Sequence, residues 1–203
     1  MREAENRDSP IEFYFDFISP FAYLAHARIA TLAREYNRAL KYIPIDISKA
    51  KLAAGNTGPS NREIPVKLKY LMTDVARWAA LDGLPVNFPA SLDSYRMNVG
   101  SFFALEKNAI EAYVSTCFAK AWGEGADMAS DEALLAVANS MGWPENEFLI
   151  AIDSQEFKQR FAKGSEQAHA RGVFGVPTFL IGDEMWWGND RLHFLESFLA
   201  NHE

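Results

Sequence analysis

The sequence predicts an α/β fold in which a small strand-containing unit is split by a large all-helical insert. Three observations predict it. An alternating aromatic run near the N-terminus is followed by a helical stretch and a second apolar run. The middle of the chain, from about 67 to 172, reads as one helix after another. A strand pair and a closing helix then return at the C-terminus.

Residues 11–17, Ile-Glu-Phe-Tyr-Phe-Asp-Phe, place an apolar side chain at every second position, which predicts a strand. Tyr14 is also aromatic, so both faces of that strand are expected to be buried. Ser19-Pro20 follows, a favoured N-cap and a favoured first helical residue, and predicts a helix over 20–37. Residues 40–46 predict a second strand, which completes a βαβ unit. Residues 48–66, rich in Gly, Asn, Ser and Pro, are expected to be a loop. Helices are expected at 67–83, 98–122, 131–141, 145–152 and 154–171, with breaks at Leu84-Pro85, Phe88-Pro89 and Gly142-Trp143-Pro144. Ser130, followed by Asp131 and Glu132, has the form of an N-cap with acids in the first turn. Residues 179–181 and 185–187 flank the turn Gly182-Asp183 and predict a hairpin. Gly188-Asn189-Asp190 are expected to cap a last helix over 190–201. The order βαβ, helical insert, ββα is a thioredoxin-like arrangement, with 11–47 and 173–203 forming the thioredoxin-like part, 48–172 the loop plus insert, and 1–10 a tail.

Composition narrows the function. Net charge is −7, which opposes a nucleic-acid partner. No apolar run is long enough to span a bilayer, and 1–10 lack a signal-peptide core, so a cytoplasmic protein with no membrane partner is expected. Cys117 is the only cysteine, which excludes a CxxC redox pair. His26, His169, His193 and His202 are scattered without ligand spacing, so no metal site is expected.

Four places carry chemistry. Ser19 sits where a helix N-terminus favours negative charge; it is either an N-cap alone or a donor to a thiolate brought by another molecule. Val176-Pro177, just before a strand, fits a cis-proline that frees the Val176 backbone to pair with a peptide-like ligand, or an ordinary loop proline. Trp187-Gly188-Asn189-Asp190 either cap a helix or present N–H groups and a carboxylate to an amino acid. Lys49, Lys51, Arg62, Lys67 and Lys69 stand against one acid, Glu63, in an otherwise acidic chain. They suit a small anion or are simply a solvated loop.

The segments Asp16-Phe17-Ile18-Ser19-Pro20-Phe21-Ala22-Tyr23-Leu24, Gly55-Asn56, Gly58-Pro59-Ser60-Asn61-Arg62, Phe174-Gly175-Val176-Pro177-Thr178 and Gly182 to Leu192 together resemble the 2-hydroxychromene-2-carboxylate isomerases. That family is related to kappa-class glutathione transferases in the DsbA-like branch of thioredoxin folds. The resemblance spans about 11–200 and implies a glutathione-dependent cis-trans isomerase acting on a small aromatic carboxylate. It implies that Ser19 holds the glutathione thiolate. Asn56, Lys67, Val176, Trp187, Gly188, Asn189 and Asp190 would hold the tripeptide, and Lys51, Asn61 and Arg62 would face the organic substrate. Asp74 would reach glutathione from a partner subunit, which implies a homodimer. Relatives often carry a second serine where this chain has Ala22. A kappa-like transferase that consumes glutathione is the alternative enzyme.

Overall fold

The computed structural model describes residues 9–201; residues 1–8 of the expected tail, and His202 and Glu203, lie outside them. Its elements are β1 (Ile11–Phe15), α1 (Pro20–Glu35), β2 (Leu40–Pro44), α2 (Ile47–Ala53), α3 (Pro65–Asp82), α4 (Tyr95–Glu106) and α5 (Ile110–Phe118). After a π-turn at Ala119–Gly123 come α6 (Asp131–Ser140), α7 (Glu145–Asp153), α8 (Gln155–Ala170), β3 (Thr178–Ile181), β4 (Glu184–Trp187), a 3-10 turn (Asn189–Arg191) and α9 (Leu192–Ala200). The sheet runs β2-β1-β3-β4. Strand β1 is parallel to β2, with Phe13 opposite Tyr42, and antiparallel to β3, with Tyr14 opposite Thr178. Strand β4 is antiparallel to β3 and sets Trp187 opposite Thr178.

Strand β1 is buried on both faces, as the aromatic Tyr14 among its alternating apolar residues predicts. Phe13 and Phe15 enter the main core with Phe17, Tyr113, Phe118, Phe148 and Phe179. Tyr14 points the other way, into a smaller cluster with Ile45, Ala50, Val173, Val176 and Leu180. The strands and the helical insert share the main core: Phe17 meets Phe118 at 4.8 Å and Tyr113 at 6.1 Å between ring centroids. Edge-to-face aromatic contacts of this kind add to plain area burial.

Four expectations need correction. The first strand stops at Phe15 rather than 17, because Asp16 turns the chain: its carbonyl accepts from Ser19 N at 3.0 Å. The expected loop 48–66 begins with a helix, α2. Asp46 caps it by accepting from Ser48 N at 3.0 Å and Lys49 N at 3.2 Å, and the Ala-, Lys- and Leu-rich run behind it favours helix. The expected helix 98–122 is broken at Asn108, which takes the left-handed conformation at φ 52°. Gly188-Asn189-Asp190 do not cap the last helix; residues 189–191 form a 3-10 turn with Gly188 ahead of it and no side-chain cap, and α9 starts at Leu192.

Gly100 shows how tightly the insert packs. A Cβ there would overlap the Tyr113 hydroxyl, which donates to Met97 O at 2.8 Å, and would lie 3.2 Å from the Phe148 ring. Gly100→Ala is therefore expected to destabilise the protein by about 1–3 kcal/mol despite the better helix propensity of alanine. Thermal unfolding should show a fall of several degrees. An unchanged or higher Tm would contradict the packing described.

Candidate active site

The topology gathers the marked residues at one end of the sheet. Parallel β1 and β2 both finish there, so α1 with Ser19 and α2 with Lys51 leave from the same edge. Strand β3 begins there, which sets Val176-Pro177 beside the turn after β1. Strand β4 ends there at Trp187, followed by Gly188, Asn189 and Asp190. This is the end of a sheet where helix N-termini and loops converge, the usual place for a site in α/β folds.

Ser19 is the N-cap of α1, with extended backbone at φ −96° and ψ 114°, and the residue is only 8% exposed. Its Oγ accepts from Ala22 N at 3.2 Å. Accepting leaves the hydroxyl proton free to be donated, so the capping role and a role toward a bound anion are compatible. The turn that delivers Ser19 is fastened on every side. Phe17 N donates to Asn98 Oδ1 at 3.2 Å, Phe17 O accepts from Trp122 Nε1 at 2.8 Å, and Ile18 N donates to Asp16 Oδ1 at 3.1 Å.

The Val176-Pro177 bond is cis. Pro177 O accepts from Gly188 N at 2.9 Å, which ties the start of β3 to the turn after β4. Alternation along β4 separates its two tryptophans. Trp186 packs on Phe198 of α9 at 5.1 Å, while Trp187, half exposed, lies against Gly175 and meets Phe174 at 4.9 Å. A side chain at Gly175 would come within 2.7 Å of Trp187 Nε1, so only glycine admits the indole there. Asn189 is buried. Its carbonyl accepts from Arg28 Nη1 at 3.4 Å, and its amide Nδ2 has no hydrogen-bond partner. A buried donor without a partner is costly unless a ligand satisfies it. The Asp190 carboxylate pairs with Arg191.

The basic segment forms its own group around α2 and the start of α3. Asn56 N donates to Lys51 O at 2.9 Å, Ser60 N donates to Glu63 Oε2 at 2.7 Å, and Lys67 Nζ donates to Asn61 Oδ1 at 3.4 Å. Arg62 Nη1 is buried without a partner. Burial, and next the Arg62 guanidinium, push the Lys51 ammonium pKa down, while Glu63 works against them. A cavity of about 480 Å³ runs along α2, lined by Lys51, Asn56, His169, Val173 and Phe174 among others. It brings Lys51 and Asn56 to one space with Phe174. Asp74 is seven residues beyond Lys67 on α3, about 10 Å further along the helix axis.

Sequence reasoning missed Asp16, Phe174 and His169. Asp16 is visible as an acid between Phe15 and Phe17. The other two become neighbours of Lys51 only through the tertiary fold. Cys117 is buried, and burial pushes its thiol pKa above the range of an ordinary cysteine, which fits an inert core thiol. Among the described residues no group of three or more His, Cys, Asp or Glu is placed to hold a metal ion. No helix among them is long and apolar enough to cross a membrane.

Known proteins resemble this chain over most of its length. Residues 10–200 match the model of the DSBA-like thioredoxin domain. The 2-hydroxychromene-2-carboxylate isomerase of Pseudomonas putida is 46% identical over 94% of this chain and 94% of its own length. A solved 2-hydroxychromene-2-carboxylate isomerase structure superposes with a TM-score of 0.91 at 43% identity, covering 94% of each chain. The kappa 2 glutathione S-transferase of Caenorhabditis elegans is more distant, at 23% identity over 94% of this chain and 91% of its own.

Proposed function

This chain belongs to the 2-hydroxychromene-2-carboxylate isomerase family, on the DsbA-like thioredoxin fold, and from that premise we propose that it is a glutathione-dependent cis-trans isomerase. Its substrate in this reading is 2-hydroxychromene-2-carboxylate or a close aromatic analogue, exchanged with trans-o-hydroxybenzylidenepyruvate in aromatic-hydrocarbon breakdown. The observation that carries the reading is Ser19: a buried hydroxyl, free to donate, at a helix N-terminus beside a cis-proline, in a chain without a redox cysteine pair.

The residues fit a bound tripeptide. The Asn189 side-chain amide offers an unpartnered donor, and the half-exposed Trp187 indole lies against Gly175, next to Val176 in the chain. Val176, Trp187, Gly188, Asn189 and Asp190 would hold the γ-glutamyl side, with Asn56 and Lys67 on the other. Glutathione, when bound, supplies a thiolate that adds reversibly to a conjugated carbon and so permits rotation about the former double bond. Ser19 donates to that sulfur and, with the α1 N-terminus, favours its ionised form. Lys51 and Arg62, assisted by Asn61, hold the substrate carboxylate and oppose the negative charge that develops on its carbonyl oxygen. A homodimer in which Asp74 reaches the partner's glutathione, and a cytoplasmic location, belong to the same reading.

An absorbance assay with the chromene acid, with and without glutathione, tests it. Turnover is expected only with glutathione present, while titratable thiol stays constant. Equal rates without glutathione would sink the proposal. Thiol loss in step with turnover would favour the transferase reading that the kappa-class likeness supports.

A further inference from the structure

Asp16 is the most heavily engaged side chain near the site, and the mechanism above does not use it. It is 4% exposed. Its Oδ1 accepts from Ile18 N at 3.1 Å, Ser94 Oγ at 2.5 Å and Asn98 Nδ2 at 2.7 Å. Its Oδ2 accepts from Ile47 N at 3.1 Å. Ser94 Oγ also accepts from Asn98 Nδ2 at 3.2 Å, so its own proton is committed to Asp16. All four partners are donors, which is the arrangement that suits a carboxylate. Burial pushes the pKa of this acid up, and Asn98, Ser94 and the two backbone amides pull it back down.

The four donors come from different parts of the chain. Ile18 belongs to the turn that presents Ser19. Ile47 is the first residue of α2, four positions before Lys51. Ser94 and Asn98 open α4 in the helical insert. One buried carboxylate therefore ties the thiolate side of the site, the carboxylate-binding side and the insert to a common point.

We infer that Asp16 is a positioning residue, a clamp that fixes Ser19 and Lys51 relative to one another so that sulfur and substrate meet in register. This rests on the reading of Ser19 and Lys51 given above. A purely structural acid would affect stability alone; a clamp affects the spacing of two groups that act on different molecules.

Asp16→Asn tests it, since an amide of the same size brings a donor in among four donors. Amide hydrogen exchange at both Ile18 and Ile47 is expected to accelerate about tenfold or more relative to Leu134 in α6, in the protein without ligand. With saturating glutathione and acid, kcat is expected to fall about tenfold or more, and the thiol pKa of bound glutathione, read from thiolate absorbance, to rise. Ser94→Ala removes one donor and keeps the charge; it should move the same readouts the same way by about threefold. That variant decides the matter if Asp16→Asn does not fold. Faster exchange at Ile18 alone would confine Asp16 to its own turn and overturn the clamp. Unchanged kcat and thiol pKa in a folded variant would overturn the positioning role. If the wild-type protein binds no glutathione, the functional reading fails, and the exchange at Ile18 and Ile47 decides the clamp by itself.

Discussion

Ser19→Ala is expected to leave a folded protein whose isomerase rate at neutral pH falls about 10- to 100-fold. The lost hydrogen bond to a charged partner is worth about 1.5–3 kcal/mol, and each 1.36 kcal/mol is about one pKa step or a factor of ten. The sign is fixed by which form the hydroxyl favours. Its donated proton stabilises the thiolate, so its removal raises the thiol pKa and moves the rising limb of the pH–rate profile to higher pH. At sufficiently alkaline pH the variant should recover part of its rate. Ser19 is also the cap of α1, so alanine carries a second cost of about 0.5–2 kcal/mol in stability. Ser19→Gly separates the two roles, because glycine is nearly as good a cap and has no hydroxyl. Activity lost in both variants, with stability lost mainly in Ser19→Ala, is the expected pattern. Full activity in Ser19→Gly would leave Ser19 with nothing but its cap.

Lys51→Ala is expected to raise KM for the aromatic acid about five- to tenfold and to change KM for glutathione much less. A half-buried lysine facing a carboxylate is screened by solvent, so the contact is worth about 1–1.5 kcal/mol, below the range for a fully buried charged hydrogen bond. The pH dependence carries a second signature. Burial and Arg62 lower the Lys51 pKa, so its ammonium loses its proton at a lower pH than an exposed lysine would. KM for the acid should therefore climb early on the alkaline side. Arg62→Ala should move that climb to higher pH by removing the neighbouring positive charge, while weakening binding in its own right. Equal effects of Lys51→Ala on both KM values would take Lys51 out of the substrate site.

Local order was readable where local physics decides it. Ser19-Pro20 announced a helix start because cap and first-turn preferences act within three residues, and Ser19 does accept from Ala22 N. The alternation of Ile11, Phe13 and Phe15 fixed a strand, and Tyr14 gave away its second buried face. Helix α2 escaped notice because its Asp46 cap lies just ahead of a glycine- and proline-rich stretch that dominates the segment's composition. The break at Asn108 escaped because Lys-Asn-Ala carries no glycine or proline to mark it. The assembly of the site was legible only through motif likeness. Asp16 reaches its partners across 31, 78 and 82 residues of chain, and no periodicity encodes such distances.

The core that β1 shares with α4 and α5 has an evolutionary corollary. Deleting the segment between β2 and β3 would bare Phe15 and Phe17 to water, since Phe118 packs on both and Tyr113 and Trp122 cover Phe17. Grafting another family member's insert would face the same obstacle unless its aromatic rings interlocked with those two phenylalanines. Substitution is thus easiest at exposed positions away from the site, such as Pro144 to Glu147, while the central helices must change in concert with the strands they cover.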